Sequence, residues 1–391
     1  MHNKEEMICV DCLQIRLNRF ILLAIGLWPY QQSKLTKLYL ILCVGIMATF
    51  IVLQLLMILK CSVDALINLF SSILMYILFS IKLVAFIVNN KPHLYNELTD
   101  KNEISIIKRY GSYAKLYTIT LTSISIIGIL VIFFYSFWPN IFDIVFIGNG
   151  TRSRLTIPFS IVYFVDQEKY DYLILFHMNA CIFIGYCALV GLGTFLIMYL
   201  QCVCGMFKIA SYRFTRVTML SRISGQQKEN LRNVDLICKG LSYALDMQCK
   251  AVEYFNLMAS GFGVMYLFLV TAGILFISLN LFRLVSFEFK SVLEIILTVL
   301  FTLTVIIYTL VCNWISEEVV NHNNDVYVTT YDIQWYMAPL QIQKMIVFIM
   351  LRSNKTFSVS FCGGLITGSI ENAAMVLSTA ISYCVVLRSI N

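Results

Sequence analysis

Four stretches of this chain, residues 38–59, 117–138, 172–200 and 255–282, contain no Asp, Glu, Lys or Arg. Three more hold one such residue each: Lys82 in 65–88, Glu294 in 291–315 and Glu371 in 357–387. A helix crosses the roughly 30 Å of a bilayer's hydrocarbon in about 20 residues. No water is available there to pair with backbone N–H and C=O groups, so a run of this length must satisfy them itself, as an α-helix does. A β-barrel would instead show segments of about 10 residues with alternating polarity. Composition agrees, with 59% hydrophobic and 13% charged residues, against about 25% charged in a soluble domain. The expected fold class is an all-α integral membrane protein with seven transmembrane helices.

The runs divide the chain. Residues 1–37 form a polar N-terminal segment, and no signal-peptide cleavage pattern precedes the first run, which is expected to act as its own insertion signal. Residues 38–315 hold transmembrane helices 1–6 and their loops, 316–356 an anchor region, 357–387 the seventh transmembrane helix and 388–391 a short tail. Lys82 lies near the end of its run, where its stem lets the ammonium reach the interface. The insert at 201–254 has periodic apolar residues, which suggests helices continuing out of the bilayer. As one helix, 357–387 would extend about 45 Å, so it must tilt or begin below the membrane. In the anchor region Trp335, Ala338, Ile342, Met345 and Ile349 recur in steps of three and four, with Pro339 suited to the first helical turn. That seam is either the buried stripe of a lone protomer or a contact between subunits.

Charge sets the orientation. The net charge is +7, and the basic residues lie between the apolar runs rather than in one patch, so nucleic acid is not the expected partner. Of the 29 Lys and Arg, 21 fall on the side of the N-terminus and 7 on the opposite side. The positive-inside rule therefore places the N-terminus and the anchor region in the cytoplasm and the C-terminus outside. The sequon at Asn149 falls in a loop expected outside and is a candidate glycosylation site; the one at Asn354 falls inside. G-protein-coupled receptors have the opposite orientation, and this chain lacks their Asp-Arg-Tyr and Asn-Pro-x-x-Tyr signatures.

Enzyme chemistry finds little footing. His2, His93, His177 and His322 stand far apart and no His-Glu-x-x-His or Gly-x-Ser-x-Gly accompanies them. Cys9-x-x-Cys12 and Cys202-x-Cys204 lack a second ligand pair for zinc. Gly191-x-Gly193 and Gly261-x-Gly263 lie inside apolar runs, where close helix packing explains them better than a nucleotide loop. No cofactor is expected.

The C-terminal part carries a Tyr331-x-x-x-Trp335-Tyr336 followed by Pro339, then Arg352-Ser353-x-Lys355, Gly363-Gly364, Glu371 and a final Ser382-Tyr383-x-x-x-Leu387-Arg388-Ser389. Near the N-terminus stands Gly26-Leu27-Trp28-Pro29. In order and spacing these resemble the signature of the insect odorant receptor family. The resemblance implies an odorant receptor in the plasma membrane of olfactory neurons, acting as the ligand-binding subunit of a heteromeric, odorant-gated, non-selective cation channel. Its implied partners are a shared co-receptor subunit, in a heterotetramer, and a small volatile apolar ligand. The related gustatory receptors and the co-receptor end their last helix in a Gln-Phe pair, where this chain has Arg388-Ser389, and its fourth loop is too short for the co-receptor's. A ligand-tuning subunit is therefore favoured; the alternatives are a gustatory-type receptor channel or a membrane transporter, for which no repeat between halves is visible.

The resemblance puts a gate valine at Val386, and a dewetting gate needs apolar side chains between polar ones. Tyr383, Val385, Val386 and Ser389 are the candidate pore residues. Without it, they read as an ordinary lipid-facing helix end. Glu371, about 22 Å earlier along the helix, is either a permeation group or a helix-packing one. A volatile ligand needs an apolar, aromatic cavity with few polar groups. The resemblance implies binding between spans two, three, four and six, whose outer halves offer Phe70, Met75, Phe134, Phe137, Phe176, His177, Phe183, Thr298 and Phe301, all of which core packing would equally explain.

Overall fold

The computed structural model describes residues 16–26, 33–58, 63–88, 98, 100–142, 167–225, 231–286, 292–332, 335–337, 339–353, 360–361 and 366–390. The sequons at Asn149 and Asn354 lie outside these residues, as do the side chains of Lys82 and Phe137. The described residues are helical apart from short turns and one two-stranded ladder. The helices are α1 (Arg16–Ala24), α2 (Lys34–Ile58), α3 (Val63–Val88), α4 (Lys101–Phe142), α5 (Gln167–Gly225), α6 (Leu231–Ser286), α7 (Val292–Tyr331), α8 (Leu340–Ser353) and α9 (Ile370–Ile390). Among the described residues, six helices are long and apolar enough to cross a membrane: α2, α4, α5, α6, α7 and α9. With α3, which is 26 residues long, they make the seven expected.

Local chemistry starts and stops these elements. α1 ends at Gly26, whose φ of +72° suits glycine, and a Cβ there would come within 3.0 Å of the Thr36 carbonyl oxygen. Ser33 then caps α2: its Oγ accepts from the Thr36 amide at 3.2 Å, while Thr36 Oγ1 accepts from the Ser33 amide at 2.7 Å. The Tyr39 hydroxyl donates to the Ala24 carbonyl at 2.8 Å and ties α2 back to α1.

α5 is the central post. Its segment Tyr172–Val217 is buried over 83% of its most apolar window, against 22% for α2, because it is apolar on all sides. It packs on α4, α6 and α7 and, less extensively, on α1, α2 and α3. Glycines allow the closest approaches: a Cβ at Gly193 would sit 2.3 Å from the Tyr308 ring, and one at Gly191 would sit 2.9 Å from Leu22. The Gly191-x-Gly193 pair thus serves helix packing.

The insert at 201–254 is as the sequence suggests, while the end of α7 and both ends of α9 differ from expectation. α5 and α6, with 59 and 56 residues, each extend roughly 85 Å, so the insert at 201–254 is built from continuations of two spans. α7 likewise runs unbroken to Tyr331, past the expected end of its span at 315. The expected single helix over 357–387 is corrected: Ser360–Phe361 pairs antiparallel with Ile366–Thr367, and α9 starts only at Ile370. The glycines at 363, 364 and 368 and the β-branched residues between them disfavour helix there. Ser369 then caps α9, its Oγ accepting from the Asn372 amide at 3.1 Å. α9 ends at Ile390 rather than Leu387.

At the end of the bundle where α4 and α6 begin, polar pairs join the long helices. Arg213 of α5 grips Glu103 of α4 with Nε–Oε1 at 2.6 Å and Nη2–Oε2 at 2.8 Å, both side chains being 5% exposed. Its Nη1 donates to the Tyr243 carbonyl of α6 at 3.1 Å, and the guanidinium lies 3.6 Å from the Tyr243 ring centroid. Tyr110 and His322 link α4 to α7 at 2.7 Å. α8 buries Ile342, Ile346 and Ile349 in the same core. Pro339 precedes α8 and its carbonyl accepts from the Ile342 and Gln343 amides at 2.9 and 3.0 Å.

Candidate functional site

α9 packs against the protomer through Ala373, Val376, Ala380 and Cys384, all buried. Their spacing of three and four residues marks one helix face. At 100° per residue the opposite face carries Glu371, Met375, Ser378, Ser382, Val386 and Ser389, each exposed in the protomer. A face turned to lipid would be apolar, whereas this one holds a carboxylate and three hydroxyls, which suits water or protein. The hydroxyls of Ser378, Ser382 and Ser389 donate to the carbonyls of Met375, Ser378 and Val386 at 3.0, 2.9 and 2.8 Å. Their donors are thereby committed to the helix, and their oxygen lone pairs face outward as acceptors. Near the end of the helix, Val385 and Val386 flank the polar stripe and are 61% and 51% exposed. Tyr383 is exposed as well but sits further round the helix than either valine.

The nine ligand-site candidates divide. Met75 and Thr298 are buried, His177 and Phe301 half-buried, and these face the interior. Phe70, Phe134, Phe176 and Phe183 are exposed on the outside of the bundle, Phe176 by 73%, and do not enter the enclosed cluster. Helical phase decides this: Phe176 and Met178 are close in sequence and both apolar, yet Met178 is fully buried.

Two of the inward residues, His177 and Phe301, belong to a chain of rings through four helices. Phe50 of α2 meets Tyr76 of α3 at 4.4 Å between centroids and His177 of α5 at 5.8 Å. Tyr76 meets Phe79, Phe79 meets Tyr186 of α5, and Tyr186 stacks on Phe301 of α7 at 5.9 Å and 29°. Nε2 of His177 and Oγ1 of Thr49 are 3.1 Å apart, and Thr298 Oγ1 donates to the Glu294 carbonyl at 2.9 Å. At this level a Cβ at Gly185 would sit 2.1 Å from the Phe79 ring, and one at Gly128 of α4 would sit 3.0 Å from the Tyr186 hydroxyl. That hydroxyl is buried and has no hydrogen-bond partner among the described residues. A buried hydroxyl without a partner costs free energy, on the order of 1–3 kcal/mol, which a ligand's acceptor or donor would recover. Sequence reasoning missed Tyr186; an isolated tyrosine in the middle of an uncharged run carries a polar atom that the surrounding residues do not obviously pair, and that was the available signal.

Residues 52–380 match the family model described as 7tm Odorant receptor. Among solved structures, the insect olfactory receptor OR5 from Machilis hrabei in complex with eugenol superposes with a TM-score of 0.78 at 15% identity, covering 98% of this chain and 99% of that one. The structure of the insect olfactory receptor OR5 from Machilis hrabei gives a TM-score of 0.75 at 14% identity with the same coverage. At such identity the likeness establishes the fold. No curated protein sequence matches the chain. With a family model covering most of its length and the same helical fold throughout, the chain belongs to the 7tm odorant receptor family and is a multi-pass membrane receptor, not an enzyme.

Proposed function

We propose that this chain is the ligand-binding subunit of a heteromeric, odorant-gated, non-selective cation channel in the plasma membrane of olfactory neurons, with α9 lining the pore. The observation that carries the reading is the outward face of α9, where Glu371, Ser378, Ser382 and Ser389 stand among apolar neighbours and Val385 and Val386 close the row. A ring of such helices gives a lumen with hydroxyl acceptors for cations and an apolar constriction that dewets when narrow. The N-terminus and α8 then lie in the cytoplasm and the C-terminus outside, an orientation that the distribution of Lys and Arg supports.

Assembly with a co-receptor uses the far side of α8. While Ile342, Ile346 and Ile349 face the protomer's own core, Leu340, Phe348 and Leu351 are exposed by 65%, 61% and 66%. An apolar row at the foot of the bundle fits a subunit contact, so one helix serves both roles that the sequence left open.

The odorant sits at the ring cluster, beside Tyr186 and Phe301, with Met75 in the same cluster, Thr298 one turn before Phe301 on α7 and His177 at the far end of the ring chain. Apolar walls with one unsatisfied hydroxyl suit a small aromatic or terpenoid molecule carrying a single oxygen function. The related OR5 was solved in complex with eugenol, a small aromatic molecule with a phenol hydroxyl and a methoxy group. The test is whole-cell recording from cells expressing the chain with and without a co-receptor against a panel of such volatiles. Current that needs both subunits and a ligand supports the reading; current from the co-receptor alone, unchanged by this chain, contradicts it.

A further inference from the structure

A partly open cavity lies between α3, α5, α6, α7 and α9, and Tyr186 does not line it. It has a volume of about 100 Å³ and is walled by Leu196 and Leu200 of α5, Met265 and Gly273 of α6, Thr309 of α7 and Val376 of α9. Its lining on α5 begins at Leu189, one turn beyond Tyr186, and runs to Leu200, about 16 Å further along the axis. An independent observation shows the same room: Gly273 is buried, yet a Cβ built on it meets nothing within 4 Å. Helix interiors elsewhere in this chain give the opposite result, as at Gly185 and Gly193. Close-packed interiors rarely leave space larger than a water molecule.

The lining defines what can enter. Apart from four hydroxyls, the Cys312 thiol and the thioethers of Met258 and Met265 it is hydrocarbon, and an apolar cavity of this order stays dry while accepting an apolar guest. Thr309 Oγ1 and Ser316 Oγ already donate to the carbonyls of Val305 and Cys312, both at 2.9 Å, and the Tyr266 hydroxyl donates to Asn313 Oδ1 at 3.3 Å. The oxygens of these three groups keep lone pairs, which can accept from a guest's hydroxyl. Water entering such a space would find few partners, so hydrocarbon is the better occupant.

We propose that this cavity is a second binding site, which takes the hydrocarbon body of a small apolar molecule bearing no more than a hydroxyl group. The same chemistry is supplied by a free phenol or terpenoid alcohol and by the end of a lipid acyl chain. Because Val376 lies on the packed face of α9, the guest rests against the back of the helix whose other face carries Val386. Occupancy therefore biases how α9 seats on α6 and α7. The binding itself is independent of the channel reading; only its effect on current rests on that reading.

The test is photolabelling of the purified full chain in lipid nanodiscs with an apolar aryl diazirine, adducts being located by peptide mass spectrometry. Saturable labelling is expected at Met265 and Thr309, in contrast to the linear, lipid-type labelling of the exposed Val264 and Phe268 on α6. Gly273→Leu, which fills the space, is expected to abolish the saturable component. Gly45→Leu on α2, another position where a Cβ meets nothing within 4 Å, is expected to leave it intact. Should the leucine variant misfold, Gly273→Ala carries the test, with half-saturation moved about threefold upward or the labelled fraction reduced. Competition by 4-propylphenol identifies a free small molecule as the occupant, and competition by oleate but not the phenol identifies an acyl chain; both support the site. Labelling at Met265 and Thr309 that rises linearly with probe, or that survives Gly273 substitution in folded protein, overturns it. Labelling is read without current, so its failure leaves the channel reading standing, and a failed recording leaves the site standing.

Discussion

Glu317 of α7 accepts a hydrogen bond from the backbone amide of Ile370, the first residue of α9, at 2.9 Å. A carboxylate at a helix N-terminus satisfies one of the orphan amides and sits favourably in the helix dipole. The contact also means that one continuous helix, α7, carries Phe301 of the ring cluster and holds the base of α9.

Glu317→Ala is expected to destabilise the seating of α9 by about 0.5–1 kcal/mol, with Glu317→Gln losing less because one acceptor oxygen remains. Thermal unfolding of the purified receptor reads the first effect. On co-expression the alanine variant is expected to show smaller maximal ligand-evoked current per surface receptor, and wild-type current at equal surface density would show that this cap does not connect the two helices.

The ion pair at the foot of the bundle matters more to folding. Removing one partner of a buried pair strands the other charge, at a cost of about 3–5 kcal/mol. Glu103→Gln and Arg213→Met are each expected to reduce folded, surface-delivered protein strongly, because Arg213 also holds the Tyr243 carbonyl and ring. The double variant Glu103→Leu with Arg213→Met is expected to recover part of the loss, as no unpaired charge remains. Equal loss in single and double variants would indicate that packing of the arginine stem, not charge, is what counts.

Tyr186→Phe separates ligand recognition from packing, since it removes a hydroxyl and keeps the ring stacked on Phe301. For odorants with an oxygen function, a net hydrogen bond of about 1 kcal/mol corresponds to roughly a fivefold fall in potency. Hydrocarbon analogues are expected to keep or gain potency, because the variant no longer buries an unpaired hydroxyl. Concentration–response curves for matched pairs of odorants check this.

Orientation is tested by labelling and glycosylation. An epitope tag at the C-terminus is expected to bind antibody on intact cells. Asn149→Gln is expected to raise gel mobility, while removing the Asn354 sequon is expected to change nothing, because in the proposed orientation only the former faces the lumen during synthesis. Labelling that requires permeabilisation would reverse the topology.

Much of this architecture is readable from sequence because the bilayer imposes one strong rule: uncharged runs longer than about 18 residues become helices. The same rule hides which side of a span faces in. Phe176 and Met178 are equally apolar, and in lipid the outer face of a helix is as hydrophobic as the inner, so the periodic signal that marks a buried stripe in water fades. For that reason the residue pattern alone does not tell Phe70, Phe134 and Phe183 from Met75. α9 is the exception, since the spacing of Ser378, Ser382 and Ser389 opposite Ala373, Val376 and Ala380 survives in sequence. The Glu103–Arg213 pair spans 110 positions and leaves no local trace. Residues 360–367 are apolar enough to pass for membrane helix, and only the glycines hint otherwise.

The most direct measurement concerns Val386. If it belongs to an apolar constriction, a polar side chain lets water remain in the narrow closed lumen, because the dewetting cost comes from apolar area. Val386→Ser, co-expressed with a co-receptor, is expected to give leak current without ligand or altered ion selectivity and block. The effect is expected to be partial where partner subunits keep their own residues at the gate, and Tyr186→Phe is expected to leave leak and selectivity untouched. Unaltered leak, selectivity and block across polar substitutions at Val385, Val386 and Ser389, with surface expression confirmed, would show that α9 does not line the pore.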